Sequence, residues 1–133
     1  TYLFDETIED NLRIAKPDAT QEEIEAACRM ASVHEFILSL PDGYKTRVGA
    51  LGDNLSAGEK QRIGLARAFL RGSEWILLDE PTSNVDSINE GIILKALQEQ
   101  KRKKSILLVS HRESTMAIAD RIYRVKNGRM AEI

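Results

Sequence analysis

Three observations on these 133 residues predict an α/β fold. The first half repeats the helix-start pattern Ser/Thr-x-x-Glu. The second half carries two four-residue apolar runs, Trp75-Ile76-Leu77-Leu78 and Ile106-Leu107-Leu108-Val109, separated by a helical pattern. Asn127-Gly128 marks a tight type I′ hairpin. Strand–helix–strand spacing predicts parallel pairing, with a small antiparallel edge.

In chain order, Thr20-Gln21-Glu22-Glu23 reads as a capping box, and Ile24, Ala27, Cys28 and Ala31 follow at helical spacing on one face. Ser32-Val33-His34-Glu35 reads as a second box, opening a short helix with Phe36, Ile37 and Leu40. Pro41-Asp42-Gly43 ends that helix with turn chemistry, and a loop is expected up to Asn54. A third box, Ser56-Ala57-Gly58-Glu59, opens a helix with Ile63, Ala66, Phe69 and Leu70 on its apolar side. The pattern changes near Arg71-Gly72-Ser73, which divides residues 1–72 from residues 73–133. Both apolar runs read as buried strands, the first ending in Asp79-Glu80-Pro81 and the second in Ser110-His111. Ser87-Ile88-Asn89-Glu90 is read as the cap of a helix reaching about Gln100. A short helix is expected over residues 113–119, then the hairpin.

Composition narrows the function classes. Hydrophobic residues at 42% and charged residues at 30% exclude a disordered or low-complexity chain. A net charge of −2 argues against a dedicated nucleic-acid binder, whose phosphate contacts need a basic surplus. No run of hydrophobic residues exceeds four, far short of the ~20 that span a bilayer. The lone Cys28 cannot form an internal disulfide and fits a buried small apolar position. Lys101-Arg102-Lys103-Lys104 reads either as a solvated helix end, where the macrodipole favours cations, or as a small basic patch.

The chemistry concentrates in two stretches. Parallel strands deliver residues to their carboxyl ends, where open α/β sheets bind ligands. Asp79 there could hold Mg²⁺, a hard cation taking oxygen ligands, and Glu80 could orient or deprotonate a water. The alternative is an acidic strand end facing solvent. In Leu55-Ser56-Ala57-Gly58-Glu59 the helix N-terminus offers free N–H groups to an anion, with Ser56 adding a hydroxyl and Gly58 allowing close approach. The alternative is capping alone.

Together these stretches resemble the nucleotide-binding domain of ATP-binding cassette (ABC) transporters, over essentially the whole chain. Leu55 to Glu59 resembles the family's LSGGQ signature, and Trp75 to Glu80 its Walker B strand with the catalytic glutamate. Ser83-Asn84-Val85-Asp86 resembles the D-loop and Ser110-His111-Arg112 the H-loop. The stretches from Leu3 to Asn11 and from Leu40 to Tyr44 resemble the exporter type, in which this domain is fused to a membrane-spanning half.

The resemblance implies an ATPase at the cytoplasmic face of a membrane, working as a head-to-tail dimer with a second nucleotide-binding domain. Asp79 would position Mg²⁺ through water, Glu80 would act on the attacking water, and His111 would contact the γ-phosphate. Ser56, Ala57, Gly58 and Glu59 would meet ATP bound to the opposite subunit, and Asp86 would communicate across that interface. An ABC-type ATPase of DNA repair or chromosome maintenance shares these motifs and is the alternative, although no sustained heptad is present.

Two departures qualify the match. Ala57 and Glu59 stand where the family has Gly and Gln. An acid at position 59 would repel a phosphate, so Glu59 is expected to turn back onto its own helix as a capping partner. No G-x-x-x-x-G-K-[ST] occurs in the chain, so the phosphate-cradling P-loop lies outside these residues. With Thr1 rather than Met first, the expectation is part of a longer polypeptide. It would comprise a helical subdomain plus an incomplete, mainly parallel sheet core, inactive alone. Family topology places the P-loop strand beside the H-loop strand, so an exposed sheet edge and self-association near residues 105–133 are expected.

Overall fold

The computed structural model describes residues 1–133. Its first layer is helical. α1 (Ile8–Arg13) starts where the Thr7 side chain accepts from the Asp10 N–H, and it buries Ile8 and Leu12. Its short polar sequence gives no periodic signal, and α1 is an element the residue pattern does not reveal.

α2 (Gln21–Met30) forms the expected box: Thr20 Oγ1 accepts from the Glu23 N–H at 3.1 Å, and Glu23 accepts from the Thr20 N–H at 3.0 Å. Ile24, Ala27, Cys28 and Ala31 are fully buried along one face. Burial pushes the Cys28 thiol up to about 11, as suits an inert packing residue.

The second expected box does not form. Ser32 adopts φ +57° and closes α2, its N–H bonding Arg29 O at 3.0 Å while the Val33 N–H reaches Cys28 O at 2.9 Å. That is a Schellman stop, so Ser32 is spent on ending one helix and cannot start the next. α3 (His34–Ser39) begins after Val33 without a side-chain cap. Residues 43–54 are not plain loop either. Two 3₁₀ turns, Gly43–Lys45 and Gly52–Asn54, flank the single-turn α4 (Val48–Leu51), whose Val48 and Leu51 pack against the core.

α5 (Ala57–Arg71) opens on the Ser56–Glu59 capping box. It buries Ile63, Leu65, Ala66, Phe69 and Leu70, and packs against α1, α2 and a later helix over residues 87–100. Each fully buried side chain of this size contributes roughly 1.5–3 kcal/mol relative to exposure.

β1 (Trp75–Asp79) pairs in parallel with β2 (Ser105–Val109), Leu77 opposite Leu107 and Asp79 opposite Val109. α6 (Ser87–Gln100) crosses between them and buries Ile93, Ala96 and Leu97. Its cap is Asp86 rather than Ser87. Asp86 accepts from the Asn89 N–H at 2.7 Å, which moves Glu90 one place beyond reach of the cap.

The strands are buried on one face only. Ile76, Leu78, Ile106 and Leu108 join the core, while Trp75, Leu77, Leu107 and Val109 stay exposed, Trp75 at 71% and Leu77 at 68%. With two strands and helices on one side, nothing within residues 1–133 covers the opposite face.

α7 (Glu113–Met116) is shorter than expected, its last residues continuing as turn. β3 (Tyr123–Lys126) and β4 (Arg129–Glu132) form an antiparallel hairpin. Asn127 and Gly128, at φ +52° and +74°, make the I′ turn. This ribbon is a separate sheet, not an edge of the parallel pair. No helix is long and apolar enough to cross a membrane.

Candidate functional site

The parallel register of β1 and β2 brings their carboxyl ends to one place. Asp79 closes β1 and is exposed; Glu80 follows, half-buried, with its N–H bonded to Val109 O at 2.8 Å. Glu80 sits at φ +49°, a left-handed conformation rare for a non-glycine residue. That twist turns the chain away from the strand direction, and the Ser83 N–H then closes a turn onto Glu80 O at 3.1 Å. On the neighbouring strand end, His111 Nε2 lies 3.7 Å from Glu80 Oε1, and the imidazole is otherwise almost wholly in solvent. Two residues 31 positions apart in sequence therefore face each other because the strands pair in parallel.

A second grouping forms where α5 and α6 begin. Ser56 Oγ accepts from the Glu59 N–H at 3.2 Å and donates to Glu59 Oε2 at 2.5 Å. The Glu59 carboxylate is thus turned onto its own helix start, as its capping role requires. Ala57 is exposed beside it. Gly58 is buried, and a Cβ there would fall 2.2 Å from Asn89 Cγ. Asn89 is held by Asp86, whose two carboxylate oxygens accept from its side-chain amide at 3.1 Å each.

The Asp86 carboxyl is held below its ordinary range first by the Asn89 backbone N–H, then by the Asn89 amide, with the Arg62 charge adding to both. Ser56 to Glu59 and Asp86 therefore belong to one surface through Gly58 and Asn89. No hydrogen bond or ion pair joins this grouping to Glu80 or His111.

Beside Asp79 lies a cleft of about 170 Å³, lined by Gln61, Arg67, Leu78, Pro81 and Ile93 among others. It is smaller than the ~300 Å³ at which small-molecule pockets begin. Asp79 belongs to no cluster of three or more acidic, histidine or cysteine side chains. A single exposed carboxylate suits a hard cation that keeps water and phosphate oxygens as its other ligands, and it does not suit a protein-caged metal.

Sequence reasoning missed two contacts. One is the approach of Asn89 to Gly58. The other is an ion pair between Arg112 and Glu90, which joins the turn after β2 to the first turn of α6. Neither has a local signal, since both depend on how α6 lies across the strands.

The family model described as ABC transporter matches residues 2–83. A Haemophilus influenzae protein named "Probable ABC transporter ATP-binding/permease protein" is 62% identical over 131 residues, covering 98% of this chain and 24% of that protein. Multidrug resistance protein pgp-1 of Caenorhabditis elegans is 45% identical over 131 residues, covering 98% of this chain and 10% of its own length. Among solved structures, a bacterial Atm1-family ABC exporter with ATP bound superimposes with a TM-score of 0.86 at 36% identity, over 99% of this chain and 23% of that one. The chain spans about a quarter of the length of the Haemophilus relative.

Proposed function

The chain belongs to the ABC transporter family as part of its nucleotide-binding domain, and we propose that it serves ATP hydrolysis coupled to transport within a longer polypeptide. Residues 1–72 act as the helical signature subdomain, and residues 73–133 as the carboxyl-terminal part of the ATPase core. Partners are a second nucleotide-binding domain and a membrane-spanning domain, at the cytoplasmic face of the membrane. The observation that carries this reading is the meeting of Glu80 and His111 at the carboxyl ends of two parallel strands. A relative named as an ABC transporter and a solved structure named as an ABC exporter favour it over a role in DNA repair.

In this reading the Glu80 carboxylate accepts the proton of the attacking water, and the left-handed backbone at Glu80 aims that carboxylate off the strand end. His111 donates toward the γ-phosphate from the neighbouring strand. Asp79 would hold Mg²⁺, which would supply charge neutralisation at the transferred phosphoryl group. Ser56, Ala57 and Gly58 present the start of α5 to a nucleotide on the partner domain, with Glu59 turned back as the cap. Asp86, kept ionised by its Asn89 bonds, lies on the same surface and faces the same partner. Residues 1–133 alone supply no P-loop and are inactive, and the open sheet face drives them to self-associate.

The test is turnover of the full polypeptide with Glu80→Gln. General-base catalysis is worth about 10²- to 10⁴-fold, so kcat should fall by at least ~100-fold while ATP binding persists. Turnover near the wild-type level would reject the assignment.

A further inference from the structure

The ion pair between Arg112 and Glu90 occupies a place that the hydrolytic reading leaves without a role, and its interpretation rests on that reading. His111 itself is poorly anchored: its side chain is 95% exposed, and Glu80 Oε1 lies 3.7 Å from its Nε2. The backbone beside it is anchored well. The Arg112 N–H bonds Ser110 Oγ at 3.0 Å, and Arg112 O accepts from the Met116 N–H at 3.3 Å, so the turn 110–112 is held by hydrogen bonds on both sides of Arg112.

The Arg112 guanidinium then reaches across to Glu90, whose side chain is only 15% exposed. Glu90 lies one turn into α6, its N–H bonded to Asp86 O at 2.9 Å. Glu90 sits near the positive end of the helix, and Arg112 is its ion-pair partner. Loss of Arg112 would strand a mostly buried carboxylate.

We infer that Arg112 and Glu90 form a positioning pair that holds the His111 turn against Glu80 and ties it to the Asp86 cap of α6. Neither residue needs to touch ATP. Adjacent Cα atoms are 3.8 Å apart, so a shift of Arg112 carries His111 with it. The first turn of α6 is a stiff lever between Asp86 and that shift. The pair thereby gives the surface bearing Asp86 a mechanical route to the histidine.

Two readouts test it. In the full polypeptide the His111 imidazole resonance is identified by its loss in His111→Ala, and that of His34 by its loss in His34→Ala. Arg112→Gln and Glu90→Gln should move the His111 signal alike and leave buried His34 unmoved. An unmoved His111 signal in both variants would overturn the inference whatever the activity.

In the full polypeptide, each single variant should lower kcat about ten-fold with KM for ATP within about two-fold. The double variant should be no worse than the poorer single, because both remove one interaction. Arg112→Lys should recover most of the loss. Losses that multiply in the double, KM rising as far as kcat falls, or a folded Arg112→Lys as slow as Arg112→Gln would each overturn it. If Glu80→Gln itself leaves turnover intact, the hydrolytic reading fails. If Glu80→Gln abolishes turnover while the pair variants do not lower it, only the positioning role fails.

Discussion

Replacing Gly58 by Ala probes the contact that joins the start of α5 to the start of α6. The new Cβ would lie 2.2 Å from Asn89 Cγ, 2.4 Å from its Oδ1 and 2.7 Å from its Cβ. Ordinary carbon contacts begin near 3.5 Å, so the side chain must move by more than ~1 Å. Asn89 cannot simply swing away, because its amide holds both Asp86 oxygens at 3.1 Å and its N–H takes the cap at 2.7 Å. Forcing a methyl into a packed contact costs about 1–3 kcal/mol. Alanine's helix preference returns at most ~1 kcal/mol, and less in a first turn.

The net expectation for Gly58→Ala is a loss of about 1–2 kcal/mol in urea unfolding, with unchanged m. Asn89→Gly removes all three clashing atoms. In that background Gly58→Ala should be neutral or mildly stabilising, giving a coupling of at least ~1 kcal/mol. Equal costs in the two backgrounds, or a stabilised single variant, would refute the reasoning.

Glu59→Gln should keep the capping box, since an amide oxygen also accepts from Ser56, and should cost under ~1 kcal/mol for the lost charge at a helix start. Turnover of the full polypeptide should then change little; a large change in either direction would place Glu59 on the nucleotide instead. Glu23 is held from its ordinary 4.5 down to about 2, first by the Lys16 hydrogen bond and then by the Thr20 N–H. A depressed folded-state value means stabilisation present above about 4.5 and lost as pH falls toward 2. The melting difference between wild type and Glu23→Gln should therefore shrink across that window, and a constant difference would assign the effect elsewhere. Sedimentation of residues 1–133 should show concentration-dependent association through Trp75, Leu77, Leu107 and Val109, abolished by Leu77→Lys with Leu107→Lys. A wild-type monomer across the micromolar range would contradict it.

Local chemistry was legible in the sequence wherever a few adjacent residues decide the outcome. The boxes at Thr20 and Ser56, the buried faces of α2 and α5, and the Asn127-Gly128 turn follow from hydrogen-bond partners three residues apart and from helical period. The same local logic failed where two elements compete for one residue. Ser32 has the chemistry of a cap, yet the end of α2 claims it through its left-handed backbone. Ser87 lost its cap to Asp86 by a single position, and that displacement freed Glu90 for Arg112.

The residues 1–133 by themselves determined the order of α2, α3, α5, β1, α6, β2 and the terminal hairpin, the capping geometry of Ser56 and Glu59, and the acidic end of β1. These depend on chain-neighbour sterics and hydrogen bonds, which sequence spacing encodes. Tertiary structure alone decided that Glu80 and His111 meet, that Asn89 fills the space at Gly58, and that Arg112 reaches Glu90. Those distances depend on parallel register and on how α6 crosses the sheet, set by which apolar faces bury together. The same packing left Trp75 and Leu77 in solvent, because a strand's two faces need two covering layers and this chain supplies one.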